Sequence, residues 1–222
     1  MIRYPLIISI VIALITCISA ETFAQVKEIE NRLNRDPGNV ELLKQLVKYY
    51  HRIGGDEENE TAVTKAEKYL KRWLKLEPDN GAAMVYYGSV MTMKARDTLI
   101  PWKKWEYMQD GFAMIDKGIR KSPEDTEARL LRAIHSVSVP GFFGRLDTAL
   151  EDFKYLKQFA EDENSGLSDE FLLPYYFYYG TALIKDEKSN EARTAFLKVI
   201  EISPESDYAE TAKKELENIE KK

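Results

Sequence analysis

Four prolines mark helix boundaries along this chain, and they constrain its fold more than any other feature of the sequence. Each ends an apolar stretch spaced as on one face of a helix, and each is followed two residues later by Asn, Asp or Ser. Proline cannot continue the helix that it follows, whereas those three side chains accept hydrogen bonds from the free N–H groups of the next helix. The marks are Pro37-Gly38-Asn39, Pro78-Asp79-Asn80, Pro123-Glu124-Asp125 and Pro204-Glu205-Ser206. This recurring signal predicts a stack of helical repeats.

The clearest repeat unit runs from Leu173 to Ser206 and is 34 residues long. Its large and small residues fall on one face of each of two helices: Tyr176, Tyr179, Gly180 and Leu183 on the first, and Ala192, Phe196 and Val199 on the second, before Pro204. The small Gly180 and Ala192 allow the helices to approach closely while aromatic side chains fill the groove around them. This pattern resembles the tetratricopeptide repeat (TPR) family.

The resemblance extends, less regularly, over three earlier units. In the second of them an extended link is predicted from Ala95 to Lys104, and Gly111 and Gly118 lie on one helix face, as close packing requires. The third unit departs from the pattern, because Arg129 and Arg132 occupy apolar positions and no proline closes it. The predicted organisation is a helix over 25–39, units over 40–80, 81–125, 126–172 and 173–206, and a capping helix over 207–222. The resemblance implies an all-α, right-handed α-solenoid of about ten helices without strands.

Residues 1–24 have the layout of an export signal. Arg3 precedes an apolar run from Leu6 to Ile18, and small residues follow it. The run is short for a membrane span, which needs roughly 20 residues. We expect cleavage after Ala20 or Ala24 and a periplasmic or secreted mature protein, with an uncleaved N-terminal anchor as the alternative.

Cys17 is the only cysteine and lies within that signal. It follows Leu14-Ile15-Thr16, which resembles the lipobox of bacterial lipoproteins except that Thr16 stands where Gly, Ala or Ser is usual. A small residue in a cleaved signal is the first interpretation, and a lipoprotein anchored through Cys17 is the second. Membrane attachment is therefore expected only through the N-terminus.

Composition argues against several classes of function. A formal net charge of −5 does not suit a nucleic-acid-binding protein, which would present a basic face. The two histidines, His51 and His135, lie in different units, and neither metal-ligand spacing nor a Gly-rich phosphate loop occurs. We therefore predict no catalytic residues, no metal site and no cofactor.

The resemblance implies partner binding along the concave face lined by the first helix of each unit. In the first unit this face carries Lys44, Lys48, His51 and Arg52, which suit an acidic peptide but equally form an ordinary solvated face. In the fourth unit it carries Phe177, and in the second unit Val85, Ser89 and Thr92. These residues form an apolar groove for a peptide segment or are covered by a neighbouring helix.

Two insertions are the least repetitive parts of the chain. The first places Trp102 and Trp105 among lysines, and the second places Phe142 and Phe143 between glycines, next to Arg145. Aromatic and arginine side chains are typical anchors of protein interfaces. The alternative is that both loops fold back and fill the stack.

Arg129, Arg132 and Arg145 have two interpretations. They form a cationic pocket for an anionic ligand, or they pair with carboxylates such as Asp110, Asp116 or Asp152, since a guanidinium at a packing position must be paired. The leading functional hypothesis is a scaffold or adaptor that binds another protein in the cell envelope or the secreted space. The alternative is a module that binds a peptide or small anion through the Arg129/Arg132 region and the aromatic loops.

Overall fold

The computed structural model describes residues 24–56 and 58–221. Nearly all of the predicted export signal, including Cys17, lies outside the described residues. Residues 24–56 and 58–221 form ten α-helices and one short 3-10 helix, with no strand. The helices are α1 (residues 24–35), α2 (Val40–Asp56), α3 (Glu60–Leu76), α4 (Gly81–Asp97), α5 (Pro101–Lys121), α6 (Thr126–Ser138), α7 (Leu146–Ala160), α8 (Asp169–Lys185), α9 (Ser189–Ile202) and α10 (Asp207–Glu220). The prediction of an all-α chain of about ten helices is confirmed.

The residue two places after each marked proline caps a helix. The capping oxygens accept backbone N–H groups three residues later: Asn39 from Leu42 at 3.1 Å, Asn80 from Ala83 at 2.9 Å, Asp125 from Ala128 at 3.0 Å and Ser206 from Ala209 at 3.2 Å. These bonds satisfy one of the N–H groups that a helix leaves without an internal partner. All four marks therefore start helices, as predicted.

The chain divides into two compact units, the first ending at Pro78 and the second beginning at Asp79. In the first unit α2 and α3 pack against each other around buried Leu43, Leu46 and Leu70. The hydroxyls of Tyr50 in α2 and Tyr69 in α3 both donate to Glu30 of α1, at 2.8 and 2.9 Å. One carboxylate therefore joins the three helices of this unit.

The second unit begins with α4 and α5, which approach each other through glycines. A Cβ on Gly118 would lie 2.5 Å from the carbonyl oxygen of Gly81, and one on Gly111 would lie 2.9 Å from that of Gly88. Real Cβ atoms essentially never come closer than 3.0 Å to such an atom. The backbones are therefore in contact, and the close packing predicted for Gly111 and Gly118 is confirmed.

Two further clusters of buried residues complete the second unit. The first joins α6, α7 and α8 around Phe153 and Tyr175, and the second joins α8, α9 and α10 around Phe196. A Cβ on Gly180 would lie 2.8 Å from the Phe196 ring, and Ala192 is fully buried. In the unit from Leu173 to Ser206, the small residues Gly180 and Ala192 and the large residue Phe196 thus lie in the helix contact, as predicted.

The extended link predicted from Ala95 to Lys104 is wrong. Helix α4 continues to Asp97 and α5 begins at Pro101, so that only residues 98–100 separate them. Proline at the first position of a helix lacks only an N–H that would have no partner there, and its fixed φ suits the helix. Pro101 therefore starts α5, and Trp102 and Trp105 lie on a helix instead of in a loop.

Candidate functional site

Three aromatic side chains form a partly exposed surface on the second unit. We call Trp105, Phe142 and Phe143 the aromatic platform. The Trp105 and Phe143 rings are stacked with their centroids 5.6 Å apart, and the Phe142 and Phe143 centroids are 4.5 Å apart. Trp105 is 55% exposed and Phe142 is 77% exposed. The two insertions singled out in the sequence therefore meet in one place.

A short 3-10 helix, Gly141–Phe143, presents the two phenylalanines. Its backbone is closed by hydrogen bonds from Phe143 N to Pro140 O at 3.1 Å and from Gly144 N to Gly141 O at 2.9 Å. Gly144 has a φ of 64°, in the left-handed region that favours glycine. Phe143 also lies against Phe112 of α5, with centroids 6.4 Å apart. The rings are thus presented by an ordered turn.

The apolar surface extends along the beginning of α5. Trp102 is 71% exposed and lies three residues before Trp105, which places both side chains on the same side of the helix. Lys103 and Lys104 are also exposed. The exposed residues beside these rings carry both signs of charge, since Glu106 is exposed as well.

Arg129 and Arg132 of α6 bind one fully buried carboxylate, that of Asp152 in α7. Arg129 Nη1 donates to Oδ1 at 2.7 Å, while Arg132 Nε and Nη2 donate to Oδ2 and Oδ1 at 2.6 and 2.8 Å. Burial opposes the charged form of Arg132, but its hydrogen bonds and charge interaction with Asp152 outweigh this effect and raise its pKa. The cluster joins α6 to α7.

Arg145 binds Asp116 of α5 through two hydrogen bonds, both 2.8 Å long. Its guanidinium lies 4.5 Å from the centroid of Phe112, the ring that supports Phe143. Its Nε is buried and has no hydrogen-bond partner among the described residues. Asp116 and Asp152 are two of the carboxylates predicted to pair with the arginines, so the observed pairing favours that interpretation over an open anion pocket.

Neither a metal site nor a membrane span is found in residues 24–56 and 58–221. No group of three or more His, Cys, Asp or Glu side chains in this part of the chain could hold a metal ion. None of its helices is both long enough and apolar enough to cross a membrane.

Comparisons with known proteins identify the fold. No family model matches the sequence, and no curated protein matches it. Among solved structures, the chain is similar to the crystal structure of TTC0263, a thermophilic TPR protein of Thermus thermophilus. The TM-score is 0.66 and the sequences are 15% identical, over 91% of this chain and 94% of that chain. The chain has the TPR fold.

Within the TPR fold, the aromatic platform lies at the turn ends of two helical hairpins. Trp105 is the fifth residue of α5, the second helix of the α4–α5 hairpin. Phe142 and Phe143 form the turn of the α6–α7 hairpin. The candidate surface thus lies in the two longest predicted units, 81–125 and 126–172. Its signal in the sequence is the clustering of aromatic residues.

Helix α6 covers the face of α4 that was considered as a groove. Val85 and Ser89 are fully buried and Thr92 is nearly so. The His135 ring of α6 lies between the two hydroxyls, with Nε2 at 2.5 Å from Ser89 Oγ and Nδ1 at 3.1 Å from Thr92 Oγ1. Burial lowers the pKa of His135 to about 4, so the ring is neutral at physiological pH. Val85, Ser89 and Thr92 therefore pack one TPR hairpin against the next and do not line an open groove.

The basic residues predicted on the first unit lie along α2. Lys44 pairs with Glu41 at 3.9 Å and its Nζ lies 5.7 Å from the centroid of Trp73. Lys48 and Arg52 are exposed and His51 is partly exposed.

Phe177 of the second unit is partly buried, with its ring centroid 6.0 Å from that of Phe196 and 5.1 Å from that of Tyr208. The last TPR helices therefore cover part of Phe177.

Proposed function

We propose that this protein is a non-catalytic scaffold that binds another protein through the aromatic platform and Trp102. The observation that carries the proposal is the exposure of Trp105 and Phe142 on ordered backbone. Apolar surface in water costs roughly 25 cal/mol per Å² relative to its buried state. A partner that covers these rings recovers that free energy.

The chemistry of the platform supports a protein partner. Tryptophan and phenylalanine have only two side-chain torsions each, so ordering them on binding costs little entropy. Tryptophan and arginine are enriched among the residues that contribute most to protein interfaces. The TPR fold supports the same proposal, since helical repeat stacks offer extended binding surfaces.

We also infer that the scaffold works in the envelope or the secreted space, because residues 1–24 have the layout of an export signal. Mass spectrometry of the mature N-terminus tests this inference. A mass that begins after Ala20 or Ala24 supports cleavage, a lipid-bearing Cys17 supports the anchored alternative, and an intact Met1 in the cytoplasm contradicts export.

The scaffold proposal is tested with the double variant Trp105→Ala/Phe142→Ala. The control is Leu197→Ala, which removes an exposed apolar side chain from α9 of the same unit. Proteins captured from envelope extract by the unchanged protein are purified. Calorimetry then measures the affinity of each captured protein for the unchanged protein, the double variant and the control.

We expect the double variant to bind a true partner at least about tenfold more weakly, while the Leu197→Ala control binds it normally. The Leu197→Ala control should unfold near the temperature of the unchanged protein, and the double variant, which loses its ring contacts with Phe143, slightly below it. Equal affinity for every captured protein would show that the platform is not the binding surface.

A further inference from the structure

A second candidate site lies away from the aromatic platform, between the end of α7, residues 161–168, α8 and α9. It is a cleft of about 460 Å³, which we call the tyrosine cleft. This volume is within the roughly 300 to 1,000 Å³ typical of ligand sites. Tyr175, Tyr176 and Tyr179 of α8 line it, and no sequence pattern indicates it because it depends on how four segments come together.

The tyrosine rings are held by their packing: Tyr175 is fully buried, and Tyr176 and Tyr179 are partly exposed. Tyr175 and Tyr179 are stacked with centroids 5.8 Å apart, and both lie within 6 Å of the Phe153 ring. The hydroxyl of Tyr176 donates to Ala160 O at 3.1 Å and that of Tyr175 to Phe153 O at 3.4 Å. The hydroxyl of Tyr179 has no hydrogen-bond partner among the described residues, although the side chain is partly buried. A ligand can therefore use both the ring and the hydroxyl of Tyr179.

Carboxylates dominate the charge around these rings. The lining includes five carboxylates and two lysines, a formal net charge of −3: Glu161, Asp162, Glu163, Glu191, Glu201, Lys157 and Lys198. Lys157 pairs with Glu161 at 3.6 Å, and Lys198 with Glu201 at 2.8 Å. No described cation lies within 4.0 Å of Glu163 or Glu191. Lys198 and Lys188 interact with Glu163 and Glu191 through charge alone. The cleft therefore keeps a net negative charge, and neither carboxylate is held in an ion pair by a described residue.

We propose that the tyrosine cleft binds an arginine side chain on an exposed segment of a protein partner. The flat guanidinium stacks on a tyrosine ring, which attracts cations through its π face. Its forked N–H groups match a carboxylate, here Glu163 or Glu191, with two parallel bonds. A lysine ammonium is a compact, strongly hydrated charge and cannot make the flat, forked contact. A phosphate-bearing ligand is disfavoured by the negative charge of the lining.

The probe for this proposal is a capped, fluorescein-labelled peptide of alternating glycine and arginine. Its binding to the protein is measured by fluorescence anisotropy and compared with that of matching glycine–lysine and glycine–glutamate peptides. We expect the arginine peptide to bind about fivefold more tightly than the lysine peptide, and the glutamate peptide not to bind. Equal affinity for the arginine and lysine peptides would overturn the proposed recognition of the guanidinium.

The double variant Glu163→Gln/Glu191→Gln tests the site itself. Both residues are exposed, so the variant should fold normally and bind the arginine peptide about tenfold more weakly. The matched control is Glu205→Gln, which removes an exposed carboxylate outside the cleft. Unchanged binding by the double variant, or an equal loss in the control, would mean that the peptide does not bind in the cleft.

The contribution of the ring is tested with Tyr179→Phe and Tyr179→Leu. The phenylalanine variant keeps the π face and removes the hydroxyl, and we expect it to bind the arginine peptide within about twofold of the unchanged protein. The leucine variant should bind the arginine peptide about fivefold more weakly. If this variant is less stable, its affinity is calculated for the fraction of protein that is folded. Full binding by the leucine variant would contradict stacking on Tyr179. None of these outcomes depends on the aromatic platform.

Discussion

At the scale of single residues, Asp152 has the clearest role in the stability of the second unit. Its carboxylate is fully buried and is bound by Arg129 and Arg132. Removing one partner of a buried ion pair leaves an uncompensated charge, which is usually more costly than the intact pair is stabilising. The same arginines were candidates for ligand binding in the sequence, which named Asp152 as one of three possible partners but could not choose between pairing and an open pocket, because Asp152 lies 20 or more residues away.

We expect Asp152→Asn to lower the free energy of unfolding by up to about 3 kcal/mol, because two mostly buried guanidiniums then face a neutral amide while Arg132 keeps Asp116 at 3.6 Å. Urea unfolding followed by circular dichroism measures the change. The control, Asp110→Asn, removes an exposed carboxylate from α5 and should shift stability by less than about 0.5 kcal/mol. A fully stable Asp152→Asn protein would contradict the structural role of the pair.

His135 makes stability depend on pH. Its pKa is about 4 in the folded protein, because of burial, and about 6.5 when unfolded. The unfolded chain therefore binds a proton that the folded protein does not, so stability is complete above pH 6.5 and falls as the pH is lowered towards 4. Between pH 7 and pH 5 we expect a loss of about 2 kcal/mol. Chemical unfolding at several pH values measures it, and His135→Gln should remove this part of the slope; an unchanged slope would rule it out.

At the scale of helices, the positions where elements begin were predictable because capping is local. Asn39, Asn80, Asp125 and Ser206 act within three residues of themselves. The beginning of α5 was missed because an extended segment was predicted around Pro101. The residue before a proline does favour extended backbone, but the proline itself can begin a helix. In the structure Pro101 starts a helix, and the spacing of Trp102 and Trp105 is that of one helix face.

The contact between α4 and α5 also belongs to this scale. Gly88→Ala would place a methyl group against the carbonyl oxygen of Gly111. Alanine favours a helix by up to about 1 kcal/mol over glycine, but the overpacking should cost about 1 to 3 kcal/mol and leave the protein less stable. Thermal unfolding measures the result. Gly38→Ala, which meets nothing within 4 Å, should leave the unfolding temperature nearly unchanged. A stabilised Gly88→Ala protein would show that the helices can move apart.

At the scale of the whole molecule, the sequence was sufficient for the TPR fold and insufficient for the sites. The repeat can be predicted from residues that act within one hairpin, such as Gly180, Ala192 and Phe196. The aromatic platform needs Trp105 and Phe143 to meet across two hairpins, and the tyrosine cleft needs α7, α8 and α9 together. Only composition hinted at the first site, through its clustered rings, and nothing hinted at the second.

The glycine contacts between α4 and α5 also determine how the two helices are aligned. Gly81 meets Gly118 and Gly88 meets Gly111, and the two contacts are seven residues apart on both helices. Both can form together in only one register of the antiparallel pair. A slip of one turn would put Ile115 or Tyr107 against the backbone at Gly88. The register therefore fixes which part of α4 lies opposite each residue of α5, Trp105 included.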